Sequence, residues 1–282
     1  MDNKKYFLVS LRCSKWTARK FDKKTTAEIE VLNHATTEMG RYNKLLLNKA
    51  SLADVDKAFG AARRLHDKLT LPWNDDGDRL LPAGSLMDYR DKMKPLRDDV
   101  ETATQRLLSA YDQLVAQRRL EMNGMFNASD YPSAGELTKK FSCDLEVKPL
   151  PASNDIRLPD DSVVEAELRQ QYDELYSGRV EEAQAEVWFR LTDPLKRLIE
   201  VLVMDGRIHD STHNTILEVA RMVSQYNVAG DPRLDKAAAD IYALINGVST
   251  EALRGSESTR KRTAAEAQAL MNSINSQLEG AF

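Results

Sequence analysis

The sequence predicts a mainly α fold: a multi-helix bundle with a long helical hairpin that carries a small mixed α/β insert. Three observations predict it. Apolar residues recur at spacings of three and four through most of the chain, the period of a helix buried on one face. Glycine and proline number only 12 and 9 in 282 residues, so long uninterrupted helices are allowed. Two long periodic segments flank one stretch, residues 125–160, in which the period changes.

Residues 5–13 (KYFLVSLRC) are rich in aromatic and β-branched types and read as a strand. Asp22 or Thr25 can cap a helix running to about Lys49, with Leu32, Ala35, Met39, Tyr42 and Leu46 as its stripe. Ser51, followed by Asp54, starts the next helix, whose face is Val55, Ala58, Ala62, Leu65 and Leu69. The two would lie antiparallel across a short loop. Residues 70–86 break the period: Pro72 and Pro82 lack amide donors, and Asp76-Gly77 is a turn signal.

A helix then runs from about Met87 to Gly124, with a kink expected at Pro95 and a stripe of Val100, Ala103, Leu107, Tyr111, Leu114 and Met122. In the insert, Ala134 to Phe141 reads as a short helix. Ser142 to Val147 reads as a strand, able to pair with the 5–13 strand. The second long helix starts near Asp161 or Ser162 and ends near Thr192, with Val164, Leu168, Tyr172, Leu175, Ala183 and Val187 on one side. Arg179 interrupts that stripe, so the hairpin is not a clean heptad seam. Pro194 after Asp193 reads as a new helix start reaching Met204. Helices at 212–226, 232–246 and 257–279 complete the chain. The expected division is a domain of residues 1–192 containing the hairpin and insert, then a bundle of residues 193–282.

Forty basic residues stand against 44 acidic ones, a formal charge of −4, which argues against a dedicated nucleic-acid coat. The basic residues are unevenly placed. Residues 1–24 carry Lys4, Lys5, Arg12, Lys15, Arg19, Lys20, Lys23 and Lys24 against Asp2 and Asp22. Lys15, Trp16, Arg19, Lys20, Lys23 and Lys24 form a candidate nucleic-acid segment, with Trp16 stacking on bases while the cations hold phosphates. Solvated surface charge, with Trp16 closing the core, is the plainer reading. Arg260, Lys261 and Arg262 form a smaller cluster.

Two cysteines, Cys13 and Cys143, have no CxxC partner and imply a reducing compartment. Each reads as a packed apolar thiol or, alternatively, a reactive one. No apolar run approaches the roughly 20 residues that span a bilayer, and Tyr6 to Val9 is too short for a secretory core. The expected location is cytoplasmic.

No P-loop, GxGxxG or GxSxG occurs, so no catalytic residue is assigned. His209 and His213 are four apart, with Asp205 and Asp210 nearby, but a zinc site needs a third ligand. No HExxH supports one, and no cofactor is expected. Asn74 to Asp78 suggests a calcium loop. Placing Gly77 at the sixth position, however, puts Pro72 first and Ala83 twelfth, and neither supplies a carboxylate. Arg79 could pair with one of these acids. Trp73, between two prolines, either plugs the core from its loop or anchors a partner, and Tyr131-Pro132 carries the same ambiguity.

A group of loop residues carries a resemblance. Trp16 with Arg19 and Lys20 comes first, then Gly40 to Lys44. Leu71-Pro72-Trp73 follows, with Asp76-Gly77 and Arg79 to Pro82, and then Tyr131-Pro132-Ser133. This order resembles a family of phage and prophage proteins, domain of unknown function 3150, over residues 5 to 190. Asp78 stands where that pattern has an aromatic residue. The resemblance implies an accessory protein encoded near MoxR-type AAA ATPases and von Willebrand A-type proteins, and it carries no catalytic residues. The expectation is therefore a non-enzymatic adaptor of such an ATPase, or a homo-oligomeric structural factor. Trp73, Arg79, Tyr131 and Pro132 are its candidate partner-binding residues. The alternatives are a nucleic-acid-binding accessory protein and an inhibitor of a host protein.

Overall fold

The computed structural model describes residues 5–156, 162–204, 206 and 208–279. Asp2, Lys4, Asp161 and Asp205, which entered the sequence reading, lie outside these. The fold is mainly α with a small sheet, as expected. The chain forms two compact units: Met1–Val9, Thr70–Leu86 and Val147–Phe282 make the first, and Ser10–Leu69 with Met87–Glu146 the second.

The first unit is organised by α5 (Ser162–Val203), α6 (Asp210–Tyr226), α7 (Pro232–Asn246), α8 (Thr250–Gly255) and α9 (Glu257–Glu279). Their stripes are buried as the period requires. In α6 these are Ile216, Ala220, Val223 and Tyr226, and in α7 Leu234, Ala237, Ala238, Ile241 and Ile245. In α9 they are Ala264, Ala267, Met271 and Ile274. Asp231 caps α7 by accepting from the Arg233 amide at 2.9 Å, with Pro232 in the first turn. Each such leucine or isoleucine contributes about 2 kcal/mol on leaving water.

No helix starts at Pro194, and no boundary falls near Thr192: α5 runs through both. A proline inside a helix costs about 3 kcal/mol, chiefly one lost backbone hydrogen bond and a steric clash. Leu191, Leu195, Leu198 and Leu202, on both sides of it, are fully buried in one stripe, and their burial exceeds that cost. The Thr192 hydroxyl donates to the Trp188 carbonyl at 2.9 Å within the same turn. The first half of α5 differs, because Val164, Leu168 and Leu175 are exposed, so no coiled-coil seam forms there. The two arms of the expected long hairpin fall in different units. Its second arm, α5, belongs to the first unit, and its first arm, α3 (Leu86–Met122), to the second apart from its first residue.

A four-stranded sheet has the order β4 (Leu71–Pro72), β5 (Arg79–Pro82), β1 (Tyr6–Ser14), β6 (Ser142–Pro149). Strands β1 and β6 are the pair expected from sequence. The 70–86 stretch is a hairpin as well as a break, with Leu71 opposite Leu80 and β5 antiparallel to Tyr6–Val9. Its turn needs Gly77 at φ +87°, and the Asn74 side chain accepts from the Asp78 amide at 2.9 Å. Both prolines end strands, where a missing donor is tolerated.

The second unit packs α2 (Lys49–Lys68) and α3 around Leu46, Leu47, Leu52, Val55, Phe59, Ala62, Val100, Ala103, Leu107, Tyr111 and Leu137. Leu137 comes from α4 (Ala134–Thr138), whose capping box joins Ser133 and Glu136. The helix expected to reach Lys49 is much shorter. Helix α1 (Lys23–Leu32) ends at Asn33, whose side chain donates to the Ile29 carbonyl at 2.8 Å. The chain then takes left-handed conformations at His34 and Glu38 and returns as β3 (Asn43–Leu45). This strand pairs antiparallel with β2 (Arg19–Phe21), Lys20 opposite Lys44. An arm replaces the expected helical pair.

Candidate functional site

The β2–α1–β3 arm is the least covered part of the described chain. Helix α1 buries no residue, and every residue from 31 to 43 is exposed. Local hydrogen bonds close the arm. The Asp22 amide donates to the Tyr42 carbonyl, and the Tyr42 amide to the Thr26 hydroxyl. Asp22 caps α1 by accepting from the Thr25 amide at 3.1 Å, as the sequence suggested. Lys44 anchors the base. Its side chain is 8% exposed, and its ammonium lies 3.1 Å from Asp22 and 2.6 Å from Asp130. The Thr25 amide and Lys44 hold the Asp22 carboxyl below the usual carboxylate range, and Asp130 and Asp22 raise the Lys44 ammonium.

The arm exposes large apolar side chains among its polar and charged ones. Phe21, Ile29, Val31, Leu32, Met39, Tyr42 and Leu45 are seven of the eighteen large hydrophobic side chains exposed among the described residues. A soluble fold seldom concentrates exposed apolar groups this way without a partner for them. Arg19, Lys20, Lys23 and Lys24 border this surface, all exposed. Lys24 lies 3.8 Å from Glu28, and the Arg41 guanidinium sits over the Phe21 ring at 5.5 Å.

The basic candidates therefore divide. Arg19, Lys20, Lys23 and Lys24 share the arm. Lys15 is paired with Asp56, and Trp16 packs edge-on against Tyr111, with ring centroids 6.0 Å apart. Trp16 thus belongs to the packed body and not to a stacking platform for bases.

The four partner-binding candidates divide between the two units. Trp73 and Arg79 lie in the first unit, Tyr131 and Pro132 in the second. Trp73 is 3% exposed and packs edge-on against Tyr176 at 5.3 Å, with the Arg179 guanidinium over its ring. As an exposed anchor it is ruled out by burial, and Arg179, which interrupts the α5 stripe, is there to cover it. The Arg79 guanidinium donates to the Thr70 hydroxyl at 2.6 Å and the Thr70 carbonyl at 3.1 Å, which fixes the ends of the β4–β5 hairpin. It is Lys148 that meets the turn acid Asp78, at 3.1 Å. The Tyr131 hydroxyl donates to the Leu46 carbonyl at 3.0 Å, and Pro132 accepts from the Tyr111 hydroxyl at 2.9 Å. Both are half-buried positioning residues.

His213 Nε2 lies 2.9 Å and 2.8 Å from the carbonyls of Ile245 and Val248. A ring nitrogen between two acceptors carries the proton, so that nitrogen has no lone pair for a metal. His209 occupies the N-cap position of α6. Asp210 faces Thr250 and Arg254, which hold its carboxyl below the usual range.

Sequence reasoning missed two features. One is the arm, whose apolar stripe read as an ordinary buried helix face. The other is the cysteine pair: Cys13 and Cys143, treated separately, have sulfur atoms 3.6 Å apart.

No family model, curated protein or solved structure matches this chain.

Proposed function

We propose that this protein is a non-enzymatic interaction protein that engages a protein partner through the β2–α1–β3 arm. The observation that supports the reading is the exposure of Ile29, Val31 and Leu32 on α1, which buries no residue, and of Met39 in the loop that follows it. Such side chains lose their contact with water only when a partner covers them, and about 25 cal/mol per Å² of that burial becomes available to binding. A MoxR-type AAA ATPase is the partner that the family resemblance implies, and a second copy of this chain is the simplest alternative.

The test is a paired substitution, Ile29→Asp with Leu32→Asp. Partner capture should fall at least tenfold with the folding midpoint unchanged. Sedimentation of the purified chain separates the two partners: a monomer that gains mass only with added ATPase supports the adaptor, and a concentration-dependent oligomer supports self-association. Capture unaffected by the pair would refute the arm as the contact.

A second reading has its own observation. Arg19, Lys20, Lys23 and Lys24 are exposed together on the same arm. Nucleic acid bound there would give affinity falling steeply with salt, and neutralising the four would flatten that slope. No gel shift even at low salt would exclude it.

A further inference from the structure

Cys13 and Cys143 lie on adjacent strands, β1 and β6, with their sulfurs 3.6 Å apart. Side-chain contacts along these strands run Ser10 to Glu146, Cys13 to Cys143 and Ser14 to the Lys140 carbonyl. The strands are therefore antiparallel here, and the two thiols face each other across them. β6 is the last strand of the sheet, so it can shift without breaking a ladder on its far side. A disulfide needs sulfurs about 2.05 Å apart, so the pair must close by about 1.5 Å, an adjustment on the scale of side-chain rotation.

Both thiols are half-buried, so a small reagent can reach them. Cys143 also lines an open cleft of about 690 Å³, beside Arg90, Lys94 and Arg97. Arg97 donates to the Cys143 carbonyl at 2.9 Å and holds β6 at the cleft wall. The cleft can admit a small disulfide beside Cys143, and its lining mixes the cations Arg90, Lys94 and Arg97 with the carboxylates Asp91, Asp98, Glu101 and Asp144.

We propose that Cys13 and Cys143 form a redox-active dithiol that is oxidised by low-molecular-weight disulfides of the glutathione class. The Cys13 thiolate attacks one sulfur of the disulfide and expels the first small thiolate, leaving a mixed disulfide on Cys13. Cys143 then gives up its proton, its sulfur attacks Cys13 Sγ, and the second small thiolate leaves. Two electrons pass from the protein to the disulfide, and the two thiol protons end on the two small thiols.

The direction of attack follows from the local charges. The contact with the Cys143 sulfur and the nearby Arg63 charge lower Cys13 to about 6 against the opposing effects of burial and Asp144. Cys143 is pushed up by the same contact and by burial, with Arg97 opposing. Cys13 is thus the nucleophile and Cys143 the resolving thiol.

The experiment equilibrates the full chain in glutathione buffers from reducing to oxidising and traps free thiols with N-ethylmaleimide for peptide mass mapping. The wild type should lose both thiols together, with a Cys13–Cys143 linked peptide and a mass lower by two hydrogens. Cys143→Ser should retain a stable glutathione adduct on Cys13. Cys13→Ser should leave Cys143 at least tenfold slower to react. Circular dichroism checks that both variants fold, and the wild-type arm stands without them. Two free thiols in the most oxidising buffer, or adducts on each cysteine with no bridge, would overturn the proposal.

Discussion

The C-terminal bundle and the β2–α1–β3 arm begin from the same kind of sequence and end in opposite states. In α6 and α7 an apolar stripe at spacings of three and four is fully buried. In α1 and the loop after it, Ile29, Leu32, Met39 and Tyr42 repeat at three, seven and three, yet all four are exposed. Periodicity says which residues share a face. It does not say whether anything covers that face, because cover is a tertiary property supplied by other elements or by another molecule. The uncovered apolar residues of the arm are what the proposed partner contact rests on.

The contrast can be broken by mutation. Trp73→Ala should cost about 3–5 kcal/mol, because the ring lies inside the first unit's core, and urea denaturation would record it. A loss below about 1 kcal/mol would return Trp73 to the surface. Leu198→Ala, in the stripe beyond Pro194, should cost about 2–5 kcal/mol by the same assay.

Lys44→Met should destabilise the base of the arm by about 3 kcal/mol, since it leaves Asp22 and Asp130 without their shared cation. The matching pH dependence has a definite sign. Asp22 is depressed in the folded state, so its contribution is complete above the ordinary carboxylate value of about 4 and is lost as pH falls through the lower folded value. Lys44 is raised, so its contribution persists below about 10.4 and is lost only as pH rises through its folded value. Amide protection in residues 22–45 should accordingly hold at neutral pH and fall in strong acid before the bundle opens.

At the small end, Leu32→Ala should change stability by less than about 0.5 kcal/mol, because the side chain is 79% exposed. A cost like that of Leu198→Ala would show that the arm is packed within the molecule.

Much of the fold was legible. Strands β1 and β6, their pairing, and the positions of α6, α7 and α9 followed from period, caps and proline placement. Pro194 misled because a local breaker was weighed without the leucine stripe that continues past it. The arm was misread because Asn33 and the left-handed His34 and Glu38 end the helix, and no strong breaker marks them before Gly40. The two-unit division was out of reach, since each unit is assembled from separated stretches of chain. Of the site, the basic residues of the arm were visible, and its apolar surface was assigned to a core. The cysteine pair was within reach: pairing the two predicted strands antiparallel brings position 13 toward position 143.

The most direct test of the arm as a contact surface is in-cell cross-linking followed by affinity capture and nuclease treatment, with wild type and the Ile29→Asp, Leu32→Asp variant side by side. The account predicts a nuclease-resistant protein partner, cross-linked within residues 19–45 and lost from the variant. A partner retained by the variant, or cross-linked only elsewhere on the chain, would contradict it.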